Sequence, residues 1–76
     1  MPPLPSLSGR EVVRVFESLG WEVARRRGSH VVLVKEGSYA TLSVPDHSAV
    51  AKGTLRSLIR AAHMTVSEFV EAVAQL

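Results

Sequence analysis

The turns and apolar runs of residues 21–45, WEVARRRGSHVVLVKEGSYATLSVP, set the architecture. Gly28-Ser29 separates a first run from a second, and Glu36-Gly37-Ser38 separates the second from a third. From Trp21 to Arg26, Trp21 and Val23 alternate with Glu22 and Ala24, the pattern of a strand with one buried face. His30 to Lys35 holds the run Val31-Val32-Leu33-Val34, rich in the β-branched residues that suit a pleated surface, and reads as a second strand. Tyr39 to Val44 sets Ala40, Leu42 and Val44 on one side and Tyr39, Thr41 and Ser43 on the other, a third strand. Pro45 ends it, because proline has no amide to donate to a ladder. Three consecutive strands with short turns predict an antiparallel meander.

Helices flank the meander. Ser8 followed by Glu11 is a capping box, in which side chains satisfy otherwise unpaired amides. Val12, Val13, Phe16 and Leu19 then recur at helical spacing, with Arg10, Arg14 and Glu17 on the other face. Gly20 is a stop signal, which predicts a helix from about Gly9 to Leu19. Pro45 to Ala51 reads as a loop. Lys52-Gly53-Thr54 opens a second helix that carries Leu55, Leu58, Ile59 and Ala62 on one side and Arg56 and Arg60 on the other. Thr65 and Glu68 repeat the capping box before a third helix, Val66 to Ala74, with Phe69, Val70 and Val73. The expected class is α+β, a helix, a three-stranded antiparallel sheet and a helix in the order of a double-stranded RNA-binding domain, plus a short C-terminal helix. Residues 1–7 are expected as a flexible segment, 8–64 as the domain and 65–76 as a helical extension.

Period two predicts the faces of the sheet. Leu42 and Val44 should meet the helices, and so should Val31 and Leu33. His30, Val32 and Val34 should then lie on the open face with Tyr39, Thr41 and Ser43. An exposed apolar patch of Val32, Val34 and Tyr39 follows from this assignment. Trp21 is expected in the core, and Tyr39 is the better candidate to stack on a base.

Composition narrows the chemistry. Seventy-six residues make one small domain. There is no cysteine, hence no disulfide, no thiolate metal site and no thiol nucleophile. Three scattered histidines form no ligand pattern, so no metal or other cofactor is implied. Met1 to Leu7 lacks the basic start and apolar core of a signal peptide, and no run is long enough to cross a bilayer, so a cytoplasmic protein away from membranes is expected. The net charge of +2 hides an asymmetry. Between Arg25 and Arg60 seven basic residues stand against two acids, whereas Thr65 to Leu76 carries Glu68 and Glu71 and no base. A basic middle points to an anionic partner, with nucleic acid the first candidate.

An imidazole at His30 beside Arg25-Arg26-Arg27 joins a proton carrier to a phosphate clamp. RNA supplies its own nucleophile, the 2′-hydroxyl. An enzyme without a metal must take that proton, stabilise the charge on phosphorus and help the 5′-oxygen leave. His30 is the candidate general base or acid, and the products would be a 2′,3′-cyclic phosphate and a 5′-hydroxyl. His47 is a candidate assistant, with Asp46 beside it to orient it. The competing reading makes His47 a loop residue that anchors Pro45 to the next helix. His63 reads as a cation at a helix C-terminus. Lys52, Gly53 and Thr54 meet at a helix N-terminus, where free amides favour phosphate.

Gly20-Trp21, Arg27-Gly28-Ser29-His30, Val44-Pro45-Asp46-His47 and Lys52-Gly53-Thr54-Leu55-Arg56 form a spaced set that resembles the HicA toxin family, small mRNA interferases of bacteria and archaea. The resemblance runs from about Ser8 to Met64. It implies a fold like the double-stranded RNA-binding domain, cleavage of mRNA, and neutralisation by a HicB-type antitoxin. It sets His30 at the position of the family's catalytic histidine. It also favours RNA contact by Lys52, Gly53 and Thr54. Arg25, Arg26 and Arg27 are expected to hold the phosphates flanking the cut, with Ser29 as a further RNA contact, and alternation along a strand predicts that only one or two of the arginines share a face with His30. The alternative is a non-catalytic RNA-binding module of the same fold.

Overall fold

The computed structural model describes residues 3–76. Helix α1 spans Gly9–Ser18, strand β1 Glu22–Arg27, β2 His30–Val34 and β3 Leu42–Pro45, followed by helix α2 at Lys52–Ala61 and α3 at Val66–Ala74. The sheet is antiparallel in the order β1-β2-β3. This is the expected α+β layout, with the helices against one side of the sheet.

Local chemistry explains the helix ends. The Ser8 amide donates to the Glu11 carboxylate at 2.9 Å, and the Glu11 amide donates to Ser8 Oγ at 3.2 Å. Thr65 and Glu68 repeat this pair at α3. Helix α2 ends in a Schellman motif: the Met64 amide reaches back to the Ile59 carbonyl and the His63 amide to that of Arg60. The residue in the left-handed position is His63, at φ 60°, where glycine is usual.

The core lies between helices and sheet. Phe16 is fully buried at its centre, with its ring centroid 6.2 Å from Trp21 and 5.3 Å from Phe69. Val31, Leu33, Leu42 and Val44 supply the sheet's share, and Leu55, Leu58 and Ile59 that of α2. Phe69 and Ala72 of α3 are buried in the same cluster. The segment expected to be flexible is anchored where it is described, from Pro3 onward; Met1 and Pro2 lie outside the described residues. Leu4 and Leu7 are buried. The Leu7 carbonyl accepts from Val50, and the Leu4 carbonyl accepts from Lys52 Nζ at 2.7 Å. Gly9 is pressed on the turn after β3: its amide donates to the His47 carbonyl, and a Cβ there would collide with the Pro45 carbonyl.

Three local expectations are corrected. Alternation puts Val23 on the buried face with Trp21, yet it is 46% exposed while Trp21 is buried. It lies on the helix side, opposite Leu33, but in an edge strand whose six residues are all exposed. The apolar patch of Val32, Val34 and Tyr39 does not form. Val32 is only 6% exposed, hemmed by its cross-strand neighbours Arg25 and Ser43. Tyr39, Ala40 and Thr41 fall outside β3; the Ala40 amide donates to Ser38 Oγ at 3.3 Å in place of a ladder bond. At the other end, Pro45 still pairs with His30 inside β3, which an edge strand tolerates.

Candidate active site

The β1–β2 hairpin builds the candidate site. Gly28-Ser29 is a two-residue turn, and Gly28 takes φ 59°. Positive φ at the first central residue alone marks a type II′ turn, whose twist matches that of the flanking strands. The turn sets Arg27 directly opposite His30. On the far side His30 faces Pro45 of β3. Directly opposed side chains in such a ladder have Cβ atoms about 4.5–5.5 Å apart. His30 thus has Arg27 and Pro45 as its two cross-strand neighbours, and it is exposed.

A bulge selects which arginines share this face. Val23 pairs with Leu33 but Arg25 pairs with Val32, so Ala24 is the extra residue. Without it, strict alternation from Val23 would send Arg25 and Arg27 to the helix side. With it, Arg25 and Arg27 join His30, Val32 and Ser43 on the open face, and Arg26 turns to the helix side opposite Val31. Arg26 Nη1 there binds Asp46 Oδ2 at 3.0 Å. The three arginines thus divide two and one, and the one is held by a carboxylate. The bulge escapes sequence reading, since Ala24 is neither glycine nor a turn former.

The same pairing bears on His47. Asp46 was expected to orient it, but the Asp46 carboxylate is engaged by Arg26. The His47 carbonyl caps the Gly9 amide at 2.8 Å, so its backbone ties the loop to α1 while the residue remains exposed. Ser29 supplies its carbonyl to the Asp46 amide at 2.7 Å, which fastens the hairpin turn to the end of β3. Ser29, His30, Pro45 and Asp46 consequently meet at one end of the sheet.

Lys52, Gly53 and Thr54 form the exposed first turn of α2. Helices α1 and α3 have capping boxes; α2 has none, its N-cap being Ala51 with no side-chain bond, and its first turn carries no acid. Its leading amides are open to an acceptor from outside the chain. One donor of Lys52 is spent on the Leu4 carbonyl. Tyr39, fully exposed, lies beyond the opposite end of β2 from His30. Four residue steps of strand, roughly 13 Å, separate His30 from Val34 alone, so Tyr39 is not the neighbour of this imidazole.

The arrangement combines a proton carrier and two guanidinium groups on an open, water-facing sheet surface. An anion lying across that surface meets the positive charges beside the imidazole. No helix among the described residues is long and apolar enough to cross a membrane. The sequence model of the family described as the HicA toxin of bacterial toxin–antitoxin systems matches residues 9–64. No curated protein and no solved structure matches the chain.

Proposed function

The chain belongs to the HicA toxin family, and from that premise we propose that this toxin is a metal-independent endoribonuclease that cleaves mRNA in the cytoplasm and is neutralised by a HicB-type antitoxin. Membership in the family makes it a toxin of a toxin–antitoxin system, with an antitoxin as partner. The observation that carries the chemical reading is the pairing of exposed His30 with Arg27 on the uncovered face, with Arg25 on that face by virtue of the bulge.

His30 takes the 2′-hydroxyl proton or supplies one to the departing 5′-oxygen. Such help is worth roughly 10²- to 10⁴-fold. Arg25 and Arg27 steady the phosphate, whose negative charge grows as the pentacoordinate state forms. Lys52, Gly53 and Thr54 hold a neighbouring phosphate through the open first turn of α2. Ser29 joins them as an RNA contact at the hairpin turn. Arg26 contributes to the basic field while bound to Asp46. His47 is the candidate assistant, without help from that carboxylate, and its carbonyl on the Gly9 amide also fits the competing reading as a loop anchor.

His30→Ala should lower the cleavage rate by 10²-fold or more, on the scale of general acid–base catalysis, and leave RNA affinity within a few-fold. The 5′ fragment should end in a 2′,3′-cyclic phosphate. Unchanged cleavage by the variant, or a plain 3′-hydroxyl on the fragment, refutes the mechanism. An inert wild-type chain that still binds RNA would instead make it a binding module.

A further inference from the structure

We propose that the groove between α1 and β1 is a docking surface for an acidic strand of the antitoxin that carries apolar side chains. The inference rests on the reading of this chain as a toxin held by a protein partner. The groove has a volume of about 290 Å³. Val13 of α1, Val23 of β1 and Val31 of β2 line it, together with Arg10, Arg14 and Arg26. Val23, nearly half exposed, is an apolar residue left uncovered in a strand that otherwise presents polar or small side chains. Arg10 and Arg14 lie one helical turn apart on α1 and make no salt bridge among the described residues. The single acid at the groove, Asp46, is taken by Arg26.

The edge beside the groove is open. Strand β1 pairs with β2 on one side only. The opposite edge, β3, is four residues long and ends in Pro45, which suits it poorly to extension. A strand added along β1 would gain main-chain hydrogen bonds from the edge and send alternate side chains over the valines. Charge decides the occupant. A second copy would bring its own Arg25-Arg26-Arg27 against the same residues, whereas acidic side chains pair with Arg10 and Arg14. RNA finds phosphate partners in the arginines but nothing to match three valines. An acidic strand with apolar residues satisfies both parts of the groove.

The test uses the full chain and, as probe, a HicB-type protein encoded beside it. Affinity is measured by calorimetry for the wild type, Val23→Glu and the double variant Arg10→Glu/Arg14→Glu. All three substituted side chains are at least partly exposed on the surface outside the core, and circular dichroism checks the fold. Both variants should bind on the order of 100-fold more weakly, as like charges then meet across the interface. Their action on RNA should match the wild type. In the wild-type complex the β1 amides should exchange more slowly with deuterium, a readout that needs no variant. Unchanged affinity, or β1 amides that exchange as in the free chain, overturns the docking surface while leaving the antitoxin reading intact. Failure of the wild-type chain to bind overturns both. Variants that lose RNA binding assign the groove to RNA, and a dimer of the chain alone that Val23→Glu dissolves assigns it to a second copy; either result overturns the inference.

Discussion

At the residue scale, single side chains sit where their type alone would not send them. His63 occupies the left-handed position of the Schellman motif after α2. A Cβ in that conformation costs about 1–2 kcal/mol, partly offset against glycine by the extra chain entropy that glycine loses. His63→Gly should raise stability by about 0.5–1 kcal/mol, read as a higher urea midpoint with an unchanged slope. A lower midpoint would show that the imidazole itself stabilises the end of α2. The charge reading of His63 as a helix-end cation was legible from its position in the sequence; its backbone conformation was not, because histidine carries no signal for positive φ. His30 shows the complementary case. Its place at the start of a strand followed from the turn before it, and only the pairing of β1 with β2 revealed Arg27 as its direct neighbour.

At the element scale, caps and periodicity set the helices, and two predictions follow from how they are held. Hydrogen bonds from the Ser8 backbone and then the Ser8 side chain, with Arg14 nearby, keep the Glu11 carboxyl below its usual value of 4.5. A depressed carboxyl stabilises the fold above its unfolded value, and this contribution disappears as pH falls through the folded one. The stability gap between wild type and Glu11→Gln should therefore be constant at neutral pH and shrink below pH 4.5. A gap that ignores acid would mean that the carboxylate form has no advantage in the cap. Helix α3 is the second case. The sequence pattern marks it as an extension after the domain, and in the structure Phe69 is fully buried against Phe16. Phe69→Ala should cost about 3–5 kcal/mol, enough to threaten a domain of this size, as seen in thermal unfolding. A loss below about 0.5 kcal/mol, the level of a surface change, would return α3 to the status of an appendage. Its capping box announced the helix; which neighbours Phe69 would meet was not written in the local pattern.

At the scale of the whole molecule, the charges divide between two surfaces. The open face carries Arg25 and Arg27 with His30, and the groove on the helix side carries Arg10, Arg14 and the paired Arg26. If the open face binds RNA, the logarithm of the affinity should fall linearly with the logarithm of salt concentration, with a slope of about 0.7 per phosphate contacted on a single strand. Arg27→Gln should weaken binding similarly for all sequences and flatten that slope by about one contact. Affinity indifferent to salt would remove the phosphate contacts from the proposal.

Strand and helix identities, the order of elements, the capping boxes and the exposed imidazole are local matters. A few adjacent side chains and their turns specify them, so the amino-acid order carried them unaided. The extra residue at Ala24, the choice of which arginines share the face of His30, the covering of Val32 and the seating of Leu4, Leu7 and Phe69 needed the folded chain. Each depends on a partner distant along the backbone, and a side chain's face is decided by the register and packing in which those partners finally meet.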